Sequence, residues 1–316
     1  MIILQPTNNS YGKDRLVKII AVILLVVSPI IFSQNSQDKR SIIKEYDLTE
    51  LSQIEQASSQ KFYLEKNKAR LLANKKRWKL KYTDSKGSKY ELMSVSNEGK
   101  PIYYKTFNQD AAISTRANYL HKEGGLGLNL EGQGMTAHVW DEGIARATHQ
   151  EYDGKGGVDR FSVGDGSTEL DFHGAHVMGT IIASGVDPLA KGMAPQAKGI
   201  GYDWSNDTGE ATAAAANGML LSNHSYGFAV RDQSGDPALP AYFFGGYTSY
   251  ARDWDLIMYN APYYLMVASA GNDGNDNTAN EAPLEGNNSY DKLTGDKVSK
   301  NSLIVANGQD ALINAD

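Results

Sequence analysis

The spacing of apolar and polar positions changes character three times along the 316 residues. Residues 19–32 are apolar apart from Ser28, are interrupted by Pro29, and follow Lys13, Arg15 and Lys18. Such a run is short for a membrane span, which needs about 20 residues. A basic flank before a short apolar core is the pattern of a cleavable leader, with the cut near Ser33-Gln34. An uncleaved membrane anchor is the alternative. Residues 35–80 are polar, but Leu48, Leu51 and Ile54 keep a helical period, and Leu64, Ala69, Leu71 and Leu72 keep it more loosely. From residue 89 the period shortens. Residues 89–95 and 101–106 are predicted as two strands joined by the turn Asn97-Glu98-Gly99-Lys100.

A fourth regime begins near residue 135, where short apolar runs alternate with helix-period segments. Strands are predicted at 135–140, 198–202, 221–224, 263–268 and 302–306, and helices at 173–184, 210–220 and 247–260. Residues 228–246 hold Gly, Pro and polar residues and are predicted as a surface loop. Strands alternating with helices imply an α/β fold, a doubly wound and mainly parallel sheet, behind a small α+β module. In such sheets ligands gather at the carboxyl ends of the strands. Asp141, Ser225 and Asn272 lie at or just past predicted ends.

Composition adds two constraints. There is no cysteine, so neither a disulfide nor a thiolate metal site is available. Charge is uneven: residues 1–110 carry 19 Lys and Arg against 11 Asp and Glu, and residues 111–316 carry 12 against 26. A basic front and an acidic body are able to attract each other, although two separately solvated surfaces are the commoner arrangement. Residues 61–79 hold eight basic residues and one acid, a solvated helix face rather than a nucleic-acid site.

Three segments carry candidate chemistry. The first, Val139-Trp140-Asp141-Glu142-Gly143, is a strand delivering a carboxylate to a glycine turn. The second, His173-Gly174-Ala175-His176-Val177-Met178-Gly179-Thr180, is a helix with an imidazole in its first turn. The third, Ala268-Ser269-Ala270-Gly271-Asn272, is a strand delivering a side-chain amide to a glycine turn. A histidine near neutrality suits proton transfer to and from a hydroxyl. A carboxylate fixes its tautomer, and an amide donates to a developing oxyanion.

These segments, with Gly192-Met193-Ala194-Pro195 and Asn223-His224-Ser225-Tyr226-Gly227, resemble in order the motifs of the subtilisin-like serine proteases, the subtilases, from about residue 133 to 307. The resemblance implies an Asp-His-Ser endopeptidase, made as a zymogen and secreted or otherwise extracytoplasmic. Asp141 and His173 would be triad members and Asn272 the oxyanion donor. Ser225, Tyr226 and Gly227, with Ser269 and Gly271, would line the extended peptide substrate. It also implies a division into a leader (1–33), a propeptide (34–110) and a peptidase domain (111–316). Partners would be protein or peptide substrates and the chain's own propeptide, with neither nucleic acid nor stable membrane association. No cofactor is required; the resemblance admits calcium without assignable ligands.

The sequence departs from the family at three places. Ala175 stands where a Thr is usual, and Glu142 stands beside Asp141 where a small residue is usual. No Gly-Thr-Ser element, the family's nucleophile motif, occurs. The expectation is a fragment of a longer protease that lacks the C-terminal part carrying the serine. The alternative is a non-catalytic secreted binding module on the same fold. Ser167 lies in a polar loop and lacks the frame of a nucleophile. His149, His173 and His176 lack the His-Glu-x-x-His pattern, so no metal site is assigned, and His176 is expected to be a buried structural residue. Residues 273–277 resemble a calcium loop in composition but lack a spaced Glu. Trp254 is expected to pack beneath a helix.

Overall fold

The computed structural model describes residues 36–83, 89–106, 117–122, 124–154 and 157–306. The expected leader and the expected boundary near residue 110 lie outside these residues. The described residues fall within one compact unit spanning residues 34–316.

The front of the chain holds helices α1 (Ser36–Ile43) and α2 (Leu48–Lys76), then strands β1 (Lys81–Thr83), β2 (Lys89–Val95) and β3 (Pro101–Thr106). The two helical patches in the sequence belong to one helix of 29 residues. Asp47 caps it by accepting from the Glu50 amide, and Arg77 ends it in a left-handed conformation whose N–H reaches the Ala73 carbonyl. Its buried face is Leu51, Ile54, Ala69 and Ala73. Strands β1, β2 and β3 are antiparallel, and the β2–β3 turn closes where Ser96 donates to the Lys100 carbonyl.

The body alternates as its periodicity predicts, with two further short strands at 161–163 and 226–228. It contains β4 (Thr136–Asp141), β5 (Phe161–Val163), α3 (Phe172–Ile182), β6 (Lys198–Asp203), α4 (Asp207–Ala216), β7 (Leu221–His224), β8 (Tyr226–Phe228), α5 (Ser249–Asn260), β9 (Leu265–Ser269) and β10 (Leu303–Val305). Six strands form a parallel sheet in the order β10-β9-β7-β4-β6-β5. Alternation splits its two faces. Val139 packs with Val177, Met178 and Ile182 of α3 on one side. Trp140 packs with Ala211 and Ala215 of α4 and with Trp254 and Ile257 of α5 on the other. The sheet is therefore doubly wound, and Trp254 is a packing residue 3% exposed.

Registers set the site's floor. Tyr202, Trp140, His224, Ala268 and Ile304 form one row across the strands. The Trp140 ring stacks on Tyr202 at 4.0 Å and on His224 at 5.3 Å. One residue further along, Asp141 and Ser269 reach the carboxyl edge, and Ser225 follows His224 out of the sheet.

Strand β8 belongs to a second sheet. It pairs antiparallel with β3, with Tyr104 opposite Phe228, Lys105 opposite Gly227 and Thr106 opposite Tyr226. The front thus joins the body edge to edge, while α2 packs against α4 and α5. Leu51 and Ile54 share a core with Trp204 and Ile257.

Residues 228–246 depart from the surface-loop expectation. Phe228, Val230, Leu239, Phe243 and Phe244 are buried in one cluster with Ile102 of β3. The Gly, Pro and polar residues take the turns, and the apolar ones between them fold under and seal the front against the body. His176 is a second departure, because it is exposed. The buried face of α3 is His173, Gly174, Val177, Met178 and Ile182; His173 lies at its edge, and position 176 falls about 60° beyond that edge.

Candidate active site

Asp141 is the last residue of β4 and 1% exposed; His173 is the second residue of α3 and 7% exposed. Helix α3 starts at Asp171, whose carboxylate accepts from the His173 amide at 2.7 Å. This cap fixes the first turn, so the imidazole leaves the helix toward the strand end. His173 Nδ1 then meets Asp141 Oδ1 at 2.7 Å. The same oxygen accepts from the Glu142 amide at 2.8 Å. Burial pushes the Asp141 carboxyl up, the hydrogen bonds from His173 and Glu142 pull it back, and the nearby Asp171 charge adds to the rise.

The glycines of both motifs have a steric reason. A Cβ at Gly174 would collide with the Gly143 carbonyl. Helix and turn therefore touch backbone to backbone, which brings the carboxylate and imidazole within reach.

Asn272 follows β9 after Gly271, whose φ of +96° turns the chain at the strand end. Asn272 is exposed at the carboxyl edge of the sheet. Ser225 lies between β7 and β8, where its hydroxyl accepts from Asn223 Nδ2 at 2.9 Å. Tyr226 and Gly227 present their backbone on the β8 edge, which β3 occupies. The Tyr226 side chain is 2% exposed, so this residue offers the edge only its main chain. Strands β9, β7 and β4 are neighbours and parallel, so their carboxyl ends bring Ser269, Ser225 and Asp141 along one edge.

The remaining candidates have local roles. The Ser167 hydroxyl accepts from the Glu169 amide within its own turn. His149 caps a short turn of helix by accepting from the Glu151 amide. In the 273–277 loop, Asp276 takes Nε and Nη2 of Arg231, which hold its carboxyl well below the usual range. Among the described residues no group of three or more His, Asp or Glu side chains is placed to hold a metal ion.

The buried Asp141 carboxylate thus orients the His173 imidazole at the carboxyl edge of the parallel sheet. The description "Subtilase family", Peptidase S8, matches residues 132–310, more than half of the chain, and the chain belongs to that family. A stretch of 152 residues is 32% identical to the serine protease/ABC transporter B family protein tagA of Dictyostelium discoideum, covering 45% of this chain and 8% of that protein. The chain therefore spans less than a tenth of the length of this relative. Among solved structures, the CspB protease of Clostridium perfringens matches 52% of this chain and 41% of its own, at 16% identity and a TM-score of 0.37. The MycP3 protease from the type VII (ESX-3) secretion system matches 55% of this chain and 51% of its own, at 19% identity and a TM-score of 0.35.

Proposed function

We propose that this chain carries the acid–base half of a subtilase-type serine endopeptidase, exported as a zymogen whose residues 34–110 are a propeptide. The observation that carries the reading is the buried His173 Nδ1 to Asp141 Oδ1 hydrogen bond of 2.7 Å. Asp141 keeps the proton on Nδ1, so Nε2 is the basic nitrogen. It takes the proton of an attacking hydroxyl as the oxygen–carbon bond forms, and returns it to the leaving amine as the carbon–nitrogen bond breaks. The Asn272 amide donates to the carbonyl oxygen while it carries negative charge. No cofactor is needed for these steps.

The substrate backbone would pair with residues 225–227 as an added strand. Strand β3 already pairs with that edge, so front and substrate compete for the same hydrogen-bonding groups. This supports an inhibitory propeptide. The sequence contains no Gly-Thr-Ser element, and we place the nucleophile in polypeptide encoded downstream.

The test is hydrolysis of an unstructured protein substrate by the 316-residue chain joined to its downstream polypeptide, with labelling by a serine-directed fluorophosphonate. Hydrolysis and labelling are expected. His173→Ala should abolish hydrolysis and leave the circular dichroism unchanged, and Asn272→Ala should lower turnover by about 10²–10³. A folded wild-type protein that neither hydrolyses nor labels would overturn the enzymatic reading in favour of a non-catalytic binding module.

A further inference from the structure

The segment from β7 to β8 is one extended run with Ser225 between two sheets. Period two puts Ser222, His224 and Tyr226 on one face and Asn223 and Ser225 on the other. On the first face each polar side chain touches the next. Tyr264 Oη lies 2.6 Å from Ser222 Oγ, Ser222 Oγ lies 2.8 Å from His224 Nε2, and His224 Nδ1 lies 2.9 Å from Tyr226 Oη. Tyr226 Oη donates to Asp207 Oδ2 at 2.8 Å. All five side chains are buried, His224 completely. The proposed acid–base chemistry uses none of them.

The donors and acceptors permit one arrangement. Burial pushes the Asp207 carboxyl up to about 6, so at pH 7 it is ionised and only accepts, and Tyr226 spends its single proton there. Tyr226 must then accept from His224 Nδ1–H. Burial among Trp140, Trp254 and Tyr226 excludes an imidazolium. The ammonium of Lys297, 5.6 Å over the Tyr226 ring and paired with Asp296, disfavours a second positive charge as well. His224 Nε2 is therefore an acceptor, Ser222 donates to it, and Tyr264 donates to Ser222. Every proton in the relay is assigned.

Its two ends sit on different elements. Asp207 is the first residue of α4, and Tyr264 immediately precedes β9. Apolar residues of the same shape would fill this space without the risk of unsatisfied buried groups, each of which costs about 1–3 kcal/mol. The relay supplies direction, which apolar packing lacks. It fastens Ser222, His224 and Tyr226, on either side of Ser225 and at the start of the β8 edge.

We propose that His224 and Tyr226 are positioning residues for the substrate edge, through a relay from Tyr264 to Asp207 that fixes His224 as the neutral Nδ1–H tautomer and holds residues 222–228 in one geometry. This rests on reading residues 225–227 as the substrate edge.

The test is nitrogen-15 NMR of the full chain labelled at histidine, with the His224 signal assigned by its loss in His224→Gln. At pH 7 a neutral Nδ1–H tautomer is expected; an Nε2–H tautomer or an imidazolium would overturn the assignment without any further variant. Tyr226→Phe removes one hydroxyl and keeps the ring. It should mix the His224 tautomers and speed amide hydrogen exchange at residues 222–228 by tenfold or more, with α3 and β6 unchanged. Unchanged exchange, or equal acceleration everywhere, would show a structural role only. Neither readout depends on hydrolysis, so an inactive protein would refute the proposed function and leave this relay to be judged on its own spectra.

Discussion

Burial decides the chemistry of single side chains as much as their identity does. Glu210, on α4, accepts from Trp140 Nε1 at 3.0 Å on the edge of the aromatic row. Burial, reinforced by the charges of Asp165, Asp207 and Asp203, pushes its carboxyl up to about 8, against the one opposing hydrogen bond from Trp140. The folded state therefore holds a proton that the unfolded chain has released above about pH 4.3. Stability from this group falls as pH rises between that value and about 8. Glu210→Gln keeps an acceptor for the indole and removes the titration. Its melting temperature should match wild type near pH 4 and exceed it at pH 8. Equal differences at both pH values would contradict the shifted carboxyl.

Elements meet here through small residues and caps. Helix α3 approaches the turn after β4 only because positions 143 and 174 are glycine. Gly174→Ala would drive a methyl group into the Gly143 carbonyl. Overpacking of this kind typically costs about 1–3 kcal/mol, and the helix would move away from Asp141. The expected result is a lower denaturant midpoint with the helical signal retained, together with loss of the low-field proton resonance of a carboxylate–imidazole hydrogen bond. Retention of both the midpoint and the resonance would show that the turn yields without displacing the helix. The sequence pattern of a histidine followed by glycine pointed to this place. The collision that explains the glycine was invisible there, because the partner carbonyl lies 31 positions away in the chain.

At the scale of the whole molecule, front and body share one interior. Glu91 of β2 is 7% exposed and accepts from the fully buried Trp204 indole at 2.8 Å, from Lys66 at 2.6 Å and from Lys81 at 3.3 Å. These partners hold its carboxyl below the usual range against the upward push of burial. Lys61 of α2 pairs with Asp253 of α5 at 2.7 Å, and Ser94 meets Tyr250 at 3.0 Å. Glu91→Ala would leave both the indole N–H and the Lys66 ammonium without their acceptor. A loss of about 3 kcal/mol or more is expected in urea unfolding. Adding Trp204→Phe, which removes the stranded donor, should cost less than the sum of the two single changes. Strict additivity would argue that the hydrogen bond across the junction contributes nothing.

The sequence by itself determined the local period of most elements and the parallel α/β architecture, and it singled out Asp141, His173 and Asn272 as candidates. Strands β2, β3 and β7 have the bounds their alternation predicts, because strand pattern and turn residues are local signals. Only the tertiary structure decided what depends on contacts distant in sequence. It joined two weak helical patches into α2, whose stability comes from packing on α4 and α5 rather than from its own period. It folded residues 228–246 inward onto Ile102, exposed His176, and laid β3 along β8. It also brought Ser222, His224 and Tyr226 between Tyr264 and Asp207. Alternating polar residues in a strand predict a solvated face when read alone, and these are buried because another element meets each end of their hydrogen-bond chain.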